Sequence, residues 1–322
     1  MEEVGNLKID IVYLWVDGAD LKYQEIKNET RKKLGMLGQA NEKCRFIDND
    51  ELKYSLRSLE KYASWINKIF IVTNNQVPKW LNLDNSKITI VDHKEIMPKE
   101  SMPCFNSNAI EHCLINIPNL SEYFLCANDD TFFVDYVIPE FFFKNLKPIY
   151  RYNDFYEKNE NLYNQFLANS EELVFKKYGK RYNRYPHHNI EPYLKSSVSA
   201  CYNEFKKEID NTIFSQFRLK TDIQKSIYAN YALATNNAYM KIISRIDSWL
   251  PWYKKIINRI FKNYSKDSID VSASNDNIMW HIKKYKPKLF CINDDELTTD
   301  NDRMRVKEIL EELFPEKSEF ER

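Results

Sequence analysis

Two clusters of amide and carboxylate side chains each follow a short apolar run. Asn128-Asp129-Asp130 follows Tyr123–Ala127, and Asn293-Asp294-Asp295 follows Pro287–Ile292. Hard carboxylate oxygens just past a strand can hold a divalent cation, and the cation a diphosphate. One such cluster reads as a turn; two of them favour a cation site. A third run, Ile69–Thr73, ends in Asn74-Asn75. Open α/β sheets bind ligands in the crevice beyond the carboxyl ends of their strands, so all three ends are candidate ligand positions.

Other polar residues allow two readings each. Asp10 lies within the apolar run Ile9–Val16. A carboxylate there is costly unless paired, so it meets a cation or polar cleft, or else a buried arginine. Asp17-Gly18 breaks that run as a turn. Asp48-Asn49-Asp50-Glu51 precedes Leu52, Leu56 and Leu59, which share one helical face. Helix capping explains part of the acidity without any function. Arg45 and Arg57 flank this cluster and could reach either a phosphate or the cluster itself. Asn106 or Ser107 caps a helix expected over Ala109–Ile117, with Asn108 in its first turn. His187 and His188 are adjacent; in a strand they would face opposite ways, so at most one does chemistry. Asp222 and Lys225 read as an ordinary i, i+3 helix pair.

The elements that must position these groups read as strand, helix, strand. Ile69–Thr73 and Ile88–Val91 are short β-branched runs separated by a segment with Pro78 and Trp80. That alternation predicts an α/β fold with a mainly parallel sheet flanked by helices. Phe132, Phe133 and Phe141–Phe143 read as core. From about residue 146 to 185 the composition shifts to Tyr, Asn, Lys and Glu, as in an insertion. Helices are expected over Leu21–Leu37, Leu194–Ile209, Phe214–Ala234 and Met304–Phe314. Lys241–Ser265 sets Trp249, Trp252 and isoleucines among Arg245, Lys254, Arg259 and Lys262. That pattern suits a core helix with a solvated face or a membrane-surface helix, and Pro251 interrupts it.

Composition removes several classes. The 322 residues hold 47 basic and 47 acidic side chains, which argues against a general nucleic-acid binder. With five glycines there is neither GxGxxG nor a P-loop, so any phosphate must be held by side chains and metal. Six cysteines form no CxxC, which suggests buried thiols and a reducing compartment. No apolar run reaches the length of a membrane span and no secretory signal is evident.

Together these segments resemble the Stealth family of sugar-1-phosphate transferases. IDIVYLWVDGAD resembles its first block, with Asp17 one of the forms seen there. RFIDNDELKYSLRSLEKYASWINKIFIVTNNQVPKWL, continuing in FNSNAIEHCLINIPNLSEYFLCANDDTFF, resembles the second. HHNIEPYL with FRLKTDIQ resembles the third, and CINDDELTTDNDRMRVKEILEELFPEKSEFE the fourth. The third departs most: the family's His-x-Pro is here His188 followed by Asn189 and Ile190, and the spacing to Pro192-Tyr193 and Arg218 favours His188 over His187.

The resemblance implies a GT-A-like nucleotide-sugar transferase core with a helical insertion. It implies one catalytic domain: residues 1–145 as the nucleotide-sugar half, about 146–185 inserted, and 186–322 completing the site. It implies transfer of a hexose or N-acetylhexosamine 1-phosphate from a UDP-sugar to a glycan hydroxyl, with release of UMP, in capsule or surface-polysaccharide synthesis. Asp129 and Asp130, with Asn293 and Asp294, would hold Mg²⁺ or Mn²⁺. Arg218 and Arg45 would clamp phosphate oxygens. His188 or Asp10 would act as base or orient the acceptor, with the choice open. Asp17, Asp50, Asn74, Asn106, Asn108 and Asn128 would contact the nucleotide sugar. The expected place is the cytoplasm, with peripheral contact on the inner membrane face through residues 245–262 left open. Two other readings stay open: a metal-dependent glycosyltransferase releasing UDP, and a non-catalytic glycan-binding envelope protein.

Overall fold

The computed structural model describes residues 4–36, 49–153, 161–243, 267–294 and 297–322. Arg45, Asp48, Asp295 and the aromatic-basic segment 245–262 lie outside the described residues.

The chain starts with β1 (Ile9–Leu14) and α1 (Leu21–Lys33), the latter capped by Asp20, which accepts from the Tyr23 amide. Helix α2 (Glu51–Tyr62) forms because Leu52, Leu56 and Leu59 recur on one face with no glycine or proline between them. It leads to β2 (Ile69–Thr73), β3 (Ile88–Asp92), the short α3 (His93–Ile96) and α4 (Ser107–His112). Then come β4 (Tyr123–Asn128), β5 (Thr131–Phe133), β6 (Phe143–Lys144) and β7 (Lys147–Asn153). The rest comprises α5 (Leu162–Tyr178), β8 (Glu191–Leu194), α6 (Lys195–Glu204), α7 (Lys206–Ile213), α8 (Ser226–Ala234), β9 (Tyr239–Ile243), β10 (Ser268–Ser272), α9 (Ile278–Tyr285), β11 (Leu289–Asn293) and α10 (Asp300–Leu313).

The main sheet runs β3-β2-β1-β4-β8, with the first four strands parallel and β8 antiparallel at the edge. This is the mainly parallel α/β sheet expected. Alternation within β1 sorts its two faces. Ile9, Ile11 and Tyr13 pack with Leu52, Leu56 and Leu59 of α2, while Val12 packs with Ile110, Ile209 and Ile227 from helices on the other side. Each fully buried side chain of this kind contributes about 1.5–3 kcal/mol. Two three-stranded sheets flank the core, β10-β11-β5 and β6-β7-β9. Phe132, Phe133, Phe142 and Phe143 are fully buried, as a core reading requires. Tyr150 and Tyr152 of β7 and Val174 of α5 join the main core, so the segment read as inserted is packed into it.

Several elements depart from expectation. Helix α4 stops at His112 and passes through a 3₁₀ turn at Leu114–Asn116, because Pro118 follows and blocks further helix. The helix expected over Phe214–Ala234 is helical only from Ser226. Before it, side chains hold the backbone instead: the Ser215 hydroxyl donates to the Phe217 carbonyl, and Asp222 Oδ2 accepts from the Leu219 amide. The Asp222–Lys225 helix pair therefore does not exist. Asp50 stands at the N-cap of α2 in a left-handed conformation and makes no cap bond; its carboxylate accepts from Lys307 at 2.6 Å. The five cysteines among the described residues are free, buried thiols. No helix among those residues is long and apolar enough to cross a membrane.

Candidate active site

Strand order places the crevice. From β1 the chain moves one way to β2 and β3, then returns to lay β4 on the other side of β1. The switch point, where such sheets bind ligands, is thus between the ends of β1 and β4, where Leu14 pairs with Asn128. The end of β1 is held by Gln76, which donates to the Asp17 carbonyl at 2.9 Å and accepts from the Asp17 amide at 3.0 Å.

Beyond Asn128 the chain leaves the main sheet. The Asp129-Asp130 turn carries it into β5, which pairs antiparallel with β11, Thr131 opposite Cys291. The start of β5 therefore lies beside the end of β11, and the Ile292 amide donates to the Asp130 carbonyl at 3.1 Å. This joins Asn128–Asp130 to Asn293. Cys291 Sγ donates to Asn293 Oδ1 at 3.7 Å. On the other flank, Asn128 Nδ2 donates to His188 Nε2 at 3.3 Å. Potential ligand atoms of Asp130, His188 and Cys291 all lie within 4.8 Å of one another.

Electrostatics separates the three. Burial, then the nearby Glu51, pushes the Asp130 carboxyl up to about 7, and its Oδ1 is buried without a hydrogen-bond partner. Burial, then the Asp130 charge, pushes the Cys291 thiol well above its usual range. Burial, then Lys225, depresses His188 to about 4, so its imidazole is neutral near pH 7. Tyr163 of α5 meets the His188 ring edge-on at 6.3 Å. His187 turns away: its Nδ1 lies 3.1 Å from Ser268 Oγ in a separate buried network.

Helix α4 forms a second wall. Asn106 caps it, accepting from the Asn108 amide, and donates to Asp222 Oδ2 at 2.8 Å. Asn108 Nδ2 reaches the same oxygen at 3.5 Å. Arg218 Nη2 donates to Ser107 Oγ at 2.5 Å, while its Nη1 is buried without a partner. Burial lowers this guanidinium to about 10, against the pull of Asp222, so it stays charged at neutral pH. Lys225 lies between Glu111 and Glu191, its Nζ 3.4 and 3.2 Å from their oxygens.

The structure thus brings Asn128, Asp130, His188 and Asn293 to one strand end, and gathers Asn106, Asn108 and Arg218 around Asp222. It does not bring Asp10 there. Asp10 sits near the opposite end of β1, fully buried, accepting from Asn67 Nδ2 at 2.7 Å and the Ser121 amide at 2.7 Å. Four residues of strand, about 13 Å, separate it from Leu14. Asp294 gives its two oxygens to Arg303 at 2.8 and 3.1 Å. Asp50 is engaged by lysines, and Asn74 stands half-buried at the end of β2. Arg57 forks onto Glu321 at 2.8 and 2.9 Å and is no phosphate ligand. Sequence reasoning missed Glu111, Glu191, Asp222, Lys225 and Cys291. Of these, Asp222 and Lys225 gave a signal that helical spacing explained away, and Cys291 stood as the cysteine in the apolar run before Asn293.

Residues 7–35 match the model of Stealth protein CR1, conserved region 1, and residues 45–150 that of Stealth protein CR2, conserved region 2. The capsular polysaccharide phosphotransferase fcs1 of Haemophilus influenzae is 33% identical over 89% of this chain and 78% of its own length. The chain belongs to the Stealth family. The exopolysaccharide phosphotransferase cps2G of Lactiplantibacillus plantarum is 30% identical, covering 99% of this chain and 97% of its own. With these Stealth relatives the chain is a phosphotransferase. Among solved structures, the galactosyltransferase LgtC with donor and acceptor sugar analogues covers 95% of each chain at 9% identity. Its TM-score is 0.45, too slight a likeness to carry an argument.

The donor set fits a hard divalent cation. Asp130 supplies a buried carboxylate oxygen with no partner, and the Asn293 side-chain oxygen is reached by Cys291 Sγ, itself within 4.8 Å of Asp130 and His188 ligand atoms. Cys291 is the one soft donor of the trio, and its Sγ is engaged with Asn293 Oδ1 at 3.7 Å.

Proposed function

We propose that this chain transfers a sugar 1-phosphate from a UDP-sugar to a hydroxyl of a capsule or surface polysaccharide, releasing UMP. The observation that carries this reading is the meeting of two distant strand ends at the sheet's switch point, with Asp130 Oδ1 buried and unpartnered among them. The names of the relatives, capsular and exopolysaccharide phosphotransferases, favour moving a phosphate over moving a bare sugar.

In the reaction an acceptor oxygen bonds to the sugar-bearing phosphorus as the bond from that phosphorus to the bridging oxygen breaks. UMP leaves with the bridging oxygen, and the proton of the acceptor hydroxyl passes to the released UMP phosphate or to water. Such loose transition states need positioning and charge compensation more than covalent chemistry. Asp130, Asn293 and Asp129 would hold Mg²⁺ or Mn²⁺, which supplies positive charge to the diphosphate oxygens. Arg218 offers Nη1 to phosphate oxygens, and its contact with Ser107 fixes the fork. His188, neutral and braced by Asn128 and Tyr163, has Nε2 accepting from Asn128, so its Nδ1–H would donate to the acceptor oxygen and orient it for attack. Asp17, Asn106, Asn108 and Asn128 shape the donor site from the strand and helix ends. UDP-sugars are cytoplasmic metabolites, so we place the activity there, with residues 245–262 as a contact to the inner membrane face.

Product analysis tests this. With UDP-sugars, Mg²⁺ and a glycan acceptor, UMP should form, and EDTA or omission of acceptor should stop it. UDP as the product would overturn phosphate transfer in favour of glycosyl transfer.

A further inference from the structure

Two side chains on helix α4 stand four residues apart and so share a face, with Cβ atoms about 6 Å apart: Ser107 and Glu111. Each is tied to a cation from the 214–225 loop. Ser107 accepts from Arg218, and Glu111 lies 3.4 Å from Lys225. Each pair also leaves one buried polar atom without a partner: a donor, Arg218 Nη1, and an acceptor, Glu111 Oε2. Lone buried polar atoms are costly, and two of opposite kind, Glu111 Oε2 on the helix and Arg218 Nη1 from the loop held against it, call for a ligand with both an anionic oxygen and a hydroxyl.

Lys225 sets the second atom in place. Its side chain is 8% exposed, and that of Glu111 is likewise 8% exposed. It also contacts Glu191, the residue of β8 paired with Cys126 two positions before Asn128. One Glu111 oxygen is thereby fixed on lysine while the other is held ready. Burial raises the Glu111 carboxyl and Lys225 opposes the rise, which agrees with a carboxylate whose charge is offset on one side only.

We propose that Glu111, held by Lys225, forms the sugar subsite of the donor: Oε2 accepts a hydrogen bond from a hydroxyl of the transferred sugar, while Arg218 takes its phosphate. This rests on the sugar-1-phosphate reading for the identity of the ligand. Glu111 is then a substrate-binding residue, and Lys225 a positioning residue that acts through it.

The test is calorimetric titration of the full chain with Mg²⁺ and, in separate runs, UDP, UDP-glucose, UDP-galactose, UDP-N-acetylglucosamine and UDP-N-acetylmannosamine. Wild type should bind at least one UDP-hexose more tightly than UDP. Glu111→Gln should weaken that UDP-hexose by about 10- to 100-fold, the size of a hydrogen bond to a charged group, and leave UDP unchanged. Lys225→Met should move the UDP-hexose in the same direction, and Lys225→Arg should restore it. Thermal melts check folding, and Glu111→Asp replaces Glu111→Gln if the latter does not fold. The proposal is overturned if Glu111→Gln weakens UDP and UDP-hexose alike, if it weakens neither, or if no UDP-hexose binds more tightly than UDP. A product of UDP rather than UMP would remove the transfer reading while leaving a sugar contact at Glu111 standing. UMP release with a silent Glu111→Gln would remove this contact alone.

Discussion

The backbone amide of Ile292 donates to the carbonyl of Asp130 at 3.1 Å, so the end of β11 and the turn after β4 are built as one piece. Their carboxylates nevertheless do different work. Asp130 keeps Oδ1 buried and unpartnered, whereas Asp294 spends both oxygens on Arg303. Asp130→Ala should abolish metal-dependent UMP release and leave the melting temperature near wild type or above it, since an uncompensated buried carboxylate is removed. Asp294→Ala should keep metal-dependent release and lower stability by about 1–3 kcal/mol, the cost of leaving Arg303 without its partner. Turnover by Asp130→Ala with unchanged Mg²⁺ dependence would take Asp130 out of the site.

Arg57 shows how a candidate phosphate ligand can be a clamp on the fold. Its guanidinium forks onto Glu321 and donates to the Phe314 carbonyl at 2.8 Å, tying α2 to the C-terminal segment. Arg57→Ala leaves Glu321, its side chain 4% exposed, without its cation. Stability should drop by about 3–5 kcal/mol, as for breaking a buried pair. KM for the donor should not move. A raised donor KM with an unchanged melt would reverse that assignment.

What the sequence shows and hides follows from these contacts. The strand Ile69–Thr73 is bounded as read, because β-branched residues and Phe70 run unbroken to a polar amide pair. The two Asn-Asp-Asp ends are visible as chemistry, but their meeting is not. It depends on β5 leaving the main sheet to pair with β11, a long-range event with no local signature. Asp10 misleads because a carboxylate in an apolar strand suggests a charged partner, whereas an asparagine amide and a backbone amide satisfy it. Lys225 is hidden for a related reason. Helical spacing gave Asp222 as its partner, but side-chain bonds unwind the chain there, and Lys225 turns to carboxylates far away in sequence.

Asp222 organises the donor wall through one oxygen. Asn106 and Asn108 side chains and the Leu219 amide all reach Oδ2, and its charge acts on Arg218. Asp222→Asn keeps the shape and removes that charge. Donor KM should rise about 10-fold or more, with a stability loss of about 1–3 kcal/mol. The diagnostic is the pairing of the two effects in steady-state kinetics and thermal melts: a lower melt with unchanged donor KM would make Asp222 a residue of the fold alone.

His112 gives a pH signature. Its Nε2 lies 2.8 Å from the Ile223 carbonyl, which can only accept, so Nε2 carries hydrogen and Nδ1 accepts from the Tyr228 hydroxyl at 2.7 Å. The buried ring is therefore neutral, and burial holds it at about 4 against an ordinary 6.5, with the bond to Ile223 opposing the shift. Below pH 6.5 the unfolded chain binds a proton there that the folded chain refuses. The contribution of this group is full above 6.5, is lost as pH falls, and is gone below about 4. The total is on the order of 3 kcal/mol. Asp130, raised to about 7, acts in the opposite sense: its contribution is full below 3.8 and lost as pH rises through 7. The whole-protein profile therefore mixes the two, and a difference measurement is needed. Urea unfolding of wild type and His112→Gln from pH 8 to 5 should give a stability gap that narrows steadily below pH 6.5, because only wild type carries the imidazole. A gap independent of pH would mean that the folded ring accepts its proton as readily as the unfolded one, and the neutral buried His112 would have to be abandoned.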